Sequence, residues 1–158
     1  IKLFPKPSQR EVLRNRVFSG DALMSVWSGI ENGLAGPNVS PEELAPTTQQ
    51  QLHWPKFGQH FETSGKAGEA PDIPEVAELL KLNSAWRGAP NRDERAKIWH
   101  RMLQIHSEQL YTIGVINSVS QPVVVRNTLK NVPEKGLYNW DPGAFFGIYR
   151  PDTFWFAQ

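Results

Sequence analysis

The chain has 158 residues, with 17 Lys and Arg against 16 Asp and Glu, and no cysteine. That length suits one domain with a buried core, and the balanced charge excludes the basic stripe of a nucleic-acid backbone binder. The missing thiols exclude disulfides, thiolate metal sites and cysteine nucleophiles, and no apolar run reaches the length of a membrane-spanning helix.

The sequence opens Ile1-Lys2-Leu3-Phe4-Pro5, with no initiator Met and no basic-then-apolar leader. It reads as a stretch cut from within a longer protein. Residues 1–5 are predicted to be a short strand. Ser8 and Glu11 have the spacing of a capping box, Val12, Leu13 and Val17 follow at helical intervals, and Gly20 supplies a stop. This predicts a helix over 8–19. Residues 22–27, Ala-Leu-Met-Ser-Val-Trp, are too short for a helix and predict a buried strand. Strand, helix and strand in that order make a βαβ unit with a parallel pair.

Residues 28–73 are irregular but carry Trp54, Phe57 and Phe61, with a short helix expected from Pro55 to Glu62. Pro74 can start a helix. Val76, Leu79, Leu80, Asn83 and Trp86 then recur with helical period up to Gly88. Asn91 and Glu94 have the spacing of a second capping box. The helix after them carries Ile98, Met102 and Ile105 on one stripe, with Trp99, Leu103, His106 and Leu110 beside it. So wide a stripe needs burial against a sheet or another helix. Residues 111–116 and 122–125 read as two further strands. The remainder is loop-rich and aromatic, from Tyr138 to Phe156, and lacks a sustained period.

Chemical motifs are sparse. Ser64-Gly65-Lys66-Ala67 lacks the Gly-Lys-Ser/Thr ending of a phosphate loop, and there is no Gly-x-Ser-x-Gly elbow. His100 and His106 are six residues apart, on different faces of one helix. His53 and His60 have no carboxylate at helical spacing. The expectation is therefore no metal and no cofactor. Glu31 and Asp141 are the pair from which a carboxylate-based hydrolase would be built, a lesser alternative because nothing sets their separation. The informative constellation is Trp27, Ser28, Gly29, Glu31 and Asn32, just beyond the carboxyl end of the second strand. Ligands bind there in open α/β sheets. Trp27 offers a stacking wall and Trp54 a second aromatic face, with Glu31 and Asn32 as hydrogen-bonding groups.

A strand, a capped helix, a strand ending in Trp27, a long loop, a helix through Ile98-Trp99-His100-Arg101-Met102-Leu103-Gln104-Ile105, and then Asn127-Thr128-Leu129-Lys130-Asn131-Val132 follow one another in this chain. This order resembles the C-terminal part of the large extracellular solute-binding proteins of ABC importers, the oligopeptide, dipeptide and nickel binders. The resemblance implies an α/β chain forming one lobe of a two-lobe periplasmic-binding fold, with helices packed on a mixed sheet. Residues 1–126 would be part of that lobe, and 127–158 would return toward the missing first lobe. It implies a non-enzymatic, periplasmic or lipid-anchored protein that captures a small solute, a peptide or a sugar, for a membrane permease. Nucleic acid and direct membrane insertion of this segment are not expected. Where peptide binders of the family often carry an Asp, this chain has Ile30. An aromatic-rich protein interaction module is the principal alternative.

Overall fold

The computed structural model describes residues 2, 4–30, 35–116, 119–120, 122–136 and 149–157. Four α-helices account for most of its regular structure: α1 (Arg10–Ser19), α2 (Pro55–Glu62), α3 (Pro74–Gly88) and α4 (Arg92–Gln109). The sheet consists of two residues on each side, β1 (Leu129–Lys130) antiparallel to β2 (Trp155–Phe156), with Leu129 opposite Phe156. The Ala157 N–H donates to the Thr128 carbonyl at 2.8 Å and extends this pair by one bond.

Each helix has a local reason to start and stop. Pro55 and Pro74 stand at the first turns of α2 and α3, where a missing N–H costs nothing. The Asn91 side chain caps α4 by accepting from the Glu94 N–H at 2.9 Å. Glu94 does not complete the box; it pairs with Lys97 instead. α1 ends at Gly20, whose φ of 88° lies in the left-handed region. The Gly20 N–H donates to the Val17 carbonyl and the Asp21 N–H to the Arg16 carbonyl, the two bonds of a Schellman stop. The Ser8–Glu11 capping box does not form. Gln9 is the N-cap, makes no side-chain cap bond, and Ser8 turns back to the Lys6 carbonyl.

The core lies between α3 and α4, which run antiparallel through the Ala89-Pro90-Asn91 connection. Val76 and Leu79 meet Trp99, Met102 and Ile105, all nearly or completely buried. Arg101 grips Glu78 with two bonds, Nε to Oε1 at 2.7 Å and Nη2 to Oε2 at 2.9 Å, a planar fork across the helix pair. It holds the Glu78 carboxyl below its ordinary pKa. The third wall of the core is not a sheet but the irregular segment from Pro37 to Trp54. Three ring N–H groups bind its carbonyls along the helices: Trp86 Nε1 to Pro37 at 2.9 Å, Trp99 Nε1 to Val39 at 3.0 Å, and His106 Nε2 to Leu44 at 2.9 Å. Gly58 of α2 lies directly under the Thr48–Gln49 backbone, where a side chain would collide.

This architecture overturns the α/β expectation. No parallel βαβ unit exists among the described residues. The apolar stripes of α3 and α4 are satisfied by each other and by the 37–54 segment, so no mixed sheet is needed to cover them. Residues 22–27, 111–116 and 122–125 form neither helix nor strand and join no ladder, and Leu23 stands in a bend. No strand is assigned at the described positions of residues 1–5. The resemblance to a solute-binding lobe of an ABC importer is corrected on the same ground, because that two-lobe fold is rich in sheet and this chain is a packed set of helices.

Candidate functional site

A broad open cleft separates two parts of the molecule. One wall is α1 with the residues 22–30 that follow its stop. The other comprises the 42–57 segment, the end of α4 and residues 110–116.

On the helical wall, four rings pack together. The Trp54 ring lies 3.9 Å from that of His53, 5.6 Å from His106 and 5.2 Å from Tyr111. His106 and Tyr111 meet edge-to-face at 5.5 Å. Gln51 organises the approach to them. Its Oε1 accepts from Trp54 Nε1 at 3.2 Å and from the Thr47 N–H at 2.9 Å, while its Nε2 donates to the Glu42 carbonyl. The His106 bond to Leu44 requires a proton on Nε2. Burial lowers the His106 pKa, opposed by that bond. Burial, and then the charge of His106, lower His53 to about 4. His53 nevertheless keeps an exposed face, so solvent moderates the drop. The Tyr111 hydroxyl has no hydrogen-bond partner among the described residues, and burial, followed by the charge of Glu75, raises its pKa.

On the opposite wall, Trp27 packs under α1. The guanidinium carbons of Arg10 and Arg14 sit 5.5 Å and 5.4 Å from the Trp27 ring centre. The tryptophan is 38% exposed and lines the cleft, as do Ser28 and Gly29. A side chain built at Gly29 would meet nothing, so no close backbone approach explains that glycine. Trp54 also borders the cleft, but it is a core residue, 5% exposed. The cleft therefore brings Trp27, Ser28, Gly29 and Trp54 to its edges, with the two tryptophans on opposite walls. Glu31 and Asn32 lie outside the described residues, as does Asp141, so the carboxylate pair of the hydrolase alternative falls there too.

Sequence reasoning missed the arginine cover of Trp27 and the His53–Trp54–His106–Tyr111 cluster. The first had a signal, two arginines one turn apart on a helix followed by a reversal at Gly20. The second assembles from three separate segments and had none.

Solute capture for import is corrected along with the fold: no sheet among the described residues supplies strand ends to frame a binding-lobe cleft. The described residues do not support the aromatic interaction module either, and Tyr138, Trp140, Phe145 and Phe146 lie outside them. Trp54, Trp86 and Trp99 are spent in and around the core, Trp27 is covered by arginines, and Trp155 and Phe156 stand apart on β2. No group of three or more His, Asp or Glu side chains with metal-binding geometry occurs among the described residues. In comparisons with known proteins, no family model, no curated protein and no solved structure matches this chain.

Proposed function

We propose that the chain is a non-catalytic assembly domain: a helical body that leaves residues 22–27 and 111–116 unpaired, to form strands against a β-strand of another polypeptide. In the isolated protein, that polypeptide is a second copy. The observation carrying this reading is the exposure of the apolar side chains on these segments. Leu23 is 100% exposed, Val26 92% and Val115 84%, and Ile113 and Ile116 are nearly as open.

Two properties select a strand over other occupants. No backbone hydrogen bond links residues 22–27 or 111–116 to another segment among the described residues. Their N–H and C=O groups therefore rest on water alone, and only another backbone can satisfy both kinds at ladder spacing. Most of the side chains are apolar, Leu23, Met24 and Val26 on one segment and Ile113, Val115 and Ile116 on the other, which suits a buried sheet face. A second copy offers open edges of the same chemistry. Burying five such side chains is worth roughly 10 kcal/mol, comparable to the ~4–15 kcal/mol cost of association.

Sedimentation velocity over a concentration series, with amide hydrogen exchange read in parallel, tests the reading. The expected result is a concentration-dependent dimer in which residues 22–27 and 111–116 become protected. Val26→Lys and Val115→Lys should restore the monomer without changing the melting temperature, because neither side chain contributes to the core. A monomer throughout, with both segments exchanging at unprotected rates, would overturn it.

A further inference from the structure

We propose that Arg10 and Arg14, held over Trp27, form an oxyanion-binding site at the mouth of the cleft, for a carboxylate or phosphoryl group. This stands apart from the strand-pairing reading.

Three observations converge. The guanidinium groups come from positions one turn apart on α1, and both reach the same indole ring, at 5.5 Å and 5.4 Å. Bringing two cations to one ring costs repulsion, which an anion between or beside them removes. Neither arginine is neutralised. The ion pairs among the described residues are Lys97–Glu94, Arg101–Glu78 and Arg150–Asp152, and none involves Arg10 or Arg14. Arg14 Nε is buried with no hydrogen-bond partner among the described residues. A buried donor left open costs more than a solvated one, which leaves the arginine pair incompletely satisfied as it stands.

The start of α1 favours negative charge, against the carboxylates that border the cleft. Arg10 is the first residue of α1, and the Gln9 side chain does not cap it. The positive end of the helix and its open first-turn N–H groups add to the two guanidinium charges. Glu11 is exposed on the same turn, and Glu42, Glu43 and Glu69 border the cleft from the other wall, with Lys56 and Arg87 also on its margin. Both guanidinium groups sit beside the Trp27 ring, and an arginine fork is the geometry that recognises two oxygens of one group. A point charge such as lysine offers no such fork.

The test is titration of the full chain at low ionic strength with inorganic phosphate in one arm and glutarate in the other. Binding is followed by calorimetry and by the Trp27 indole N–H signal, assigned with Trp27→Phe. We expect millimolar binding that shifts this indole signal and leaves the Trp99 signal unmoved. Arg14→Gln should weaken binding about tenfold, and Arg14→Lys should weaken it nearly as much, because the fork is lost although the charge remains. Preference for one arm identifies the ligand as phosphoryl or carboxylate. Nuclear Overhauser contacts between the Trp27 ring and the α1 side chains in each variant show whether the segment stays docked on α1. Loss of binding with the segment still docked supports the site. The proposal is overturned if neither anion shifts the indole signal, if Arg14→Gln binds as tightly as the parent, or if binding falls only when the segment is released.

Discussion

Asn83 is the most informative residue to replace. It sits on the buried face of α3, one turn beyond Leu79, and is 0% exposed. Neither its Oδ1 nor its Nδ2 has a hydrogen-bond partner among the described residues. A buried unpaired polar group costs about 1–3 kcal/mol, and at about 1–2 each, the lower part of that range for a neutral amide, the two subtract roughly 2–4 kcal/mol from stability. Leucine has the same branching, two heavy atoms on Cγ, and no polar group to satisfy. Its methyls are bulkier than an oxygen and an amino group, and the tighter fit returns about 1–2 kcal/mol of strain. Asn83→Leu should therefore stabilise the protein by about 1–2 kcal/mol, or roughly 2–8 °C in melting temperature for a domain of this size. Asn83→Ala also removes the unpaired groups but leaves a cavity, and should come out close to neutral. Thermal and urea unfolding of the three proteins, at equal denaturant slopes, measure both differences. If Asn83→Leu lowers stability by more than about 1 kcal/mol while Asn83→Ala does the same, the amide is paired after all, a buried water being the simplest partner, and the reasoning fails.

Three further outcomes are expected. Trp99→Phe loses the 3.0 Å bond to the Val39 carbonyl as well as part of a core ring, and should cost about 3 kcal/mol in urea unfolding. Asn91→Ala removes the α4 cap and should cost about 1 kcal/mol, with amide exchange rising first at Glu94. Acid should destabilise the fold over a defined window. The His53 pKa falls from 6.5 to about 4 on folding and that of His106 also falls, so the unfolded chain takes up protons before the folded one. The advantage of the neutral rings is complete above pH 6.5 and is lost as the pH drops toward about 4. The open face of His53 keeps its share small, roughly 1 kcal/mol after solvent screening. His106→Gln should flatten stability across that window in a series of melts.

Helices were legible because their signals are local. Pro74, Gly88 and the Asn91 cap bracket α3 and α4 within a residue or two of where the structure has them, and Gly20 ends α1 as its position suggests. Where two local signals competed, the pattern misled. Ser8 and Glu11 have capping-box spacing, yet the chain enters α1 through Gln9, and Ser8 serves the turn before it. The β1–β2 pair was invisible because two residues carry no period. Its register rests on Asn131 Nδ2 reaching Thr153 Oγ1 at 2.8 Å, across 22 residues of sequence. Of the site, the arginine cover of Trp27 was not legible, because it requires the chain to fold back at Gly20. Trp54 was read as a ligand-facing ring and is a core ring whose edge borders the cleft.

The strands call for a different explanation, because the local reading there was physically sound. Residues 22–27 and 111–116 are mostly apolar, free of helical period and bounded by turn residues, and the structure puts them in no helix. A strand, however, is defined by its neighbour, and its stabilisation comes from cross-strand pairs that no window of sequence contains. The helices of this chain complete one another, so they form regardless of anything outside. These two segments have no such complement among the described residues. Leu23 and Val26 would not be selected for water by their own solvation, since each gives up about 1.5–3 kcal/mol by staying exposed. A segment whose sequence demands burial and whose fold denies it marks the place where another surface belongs. The disagreement between pattern and structure is greatest at the segments read as strands, residues 122–125 among them, while along α3 and α4 the apolar period and the packing agree.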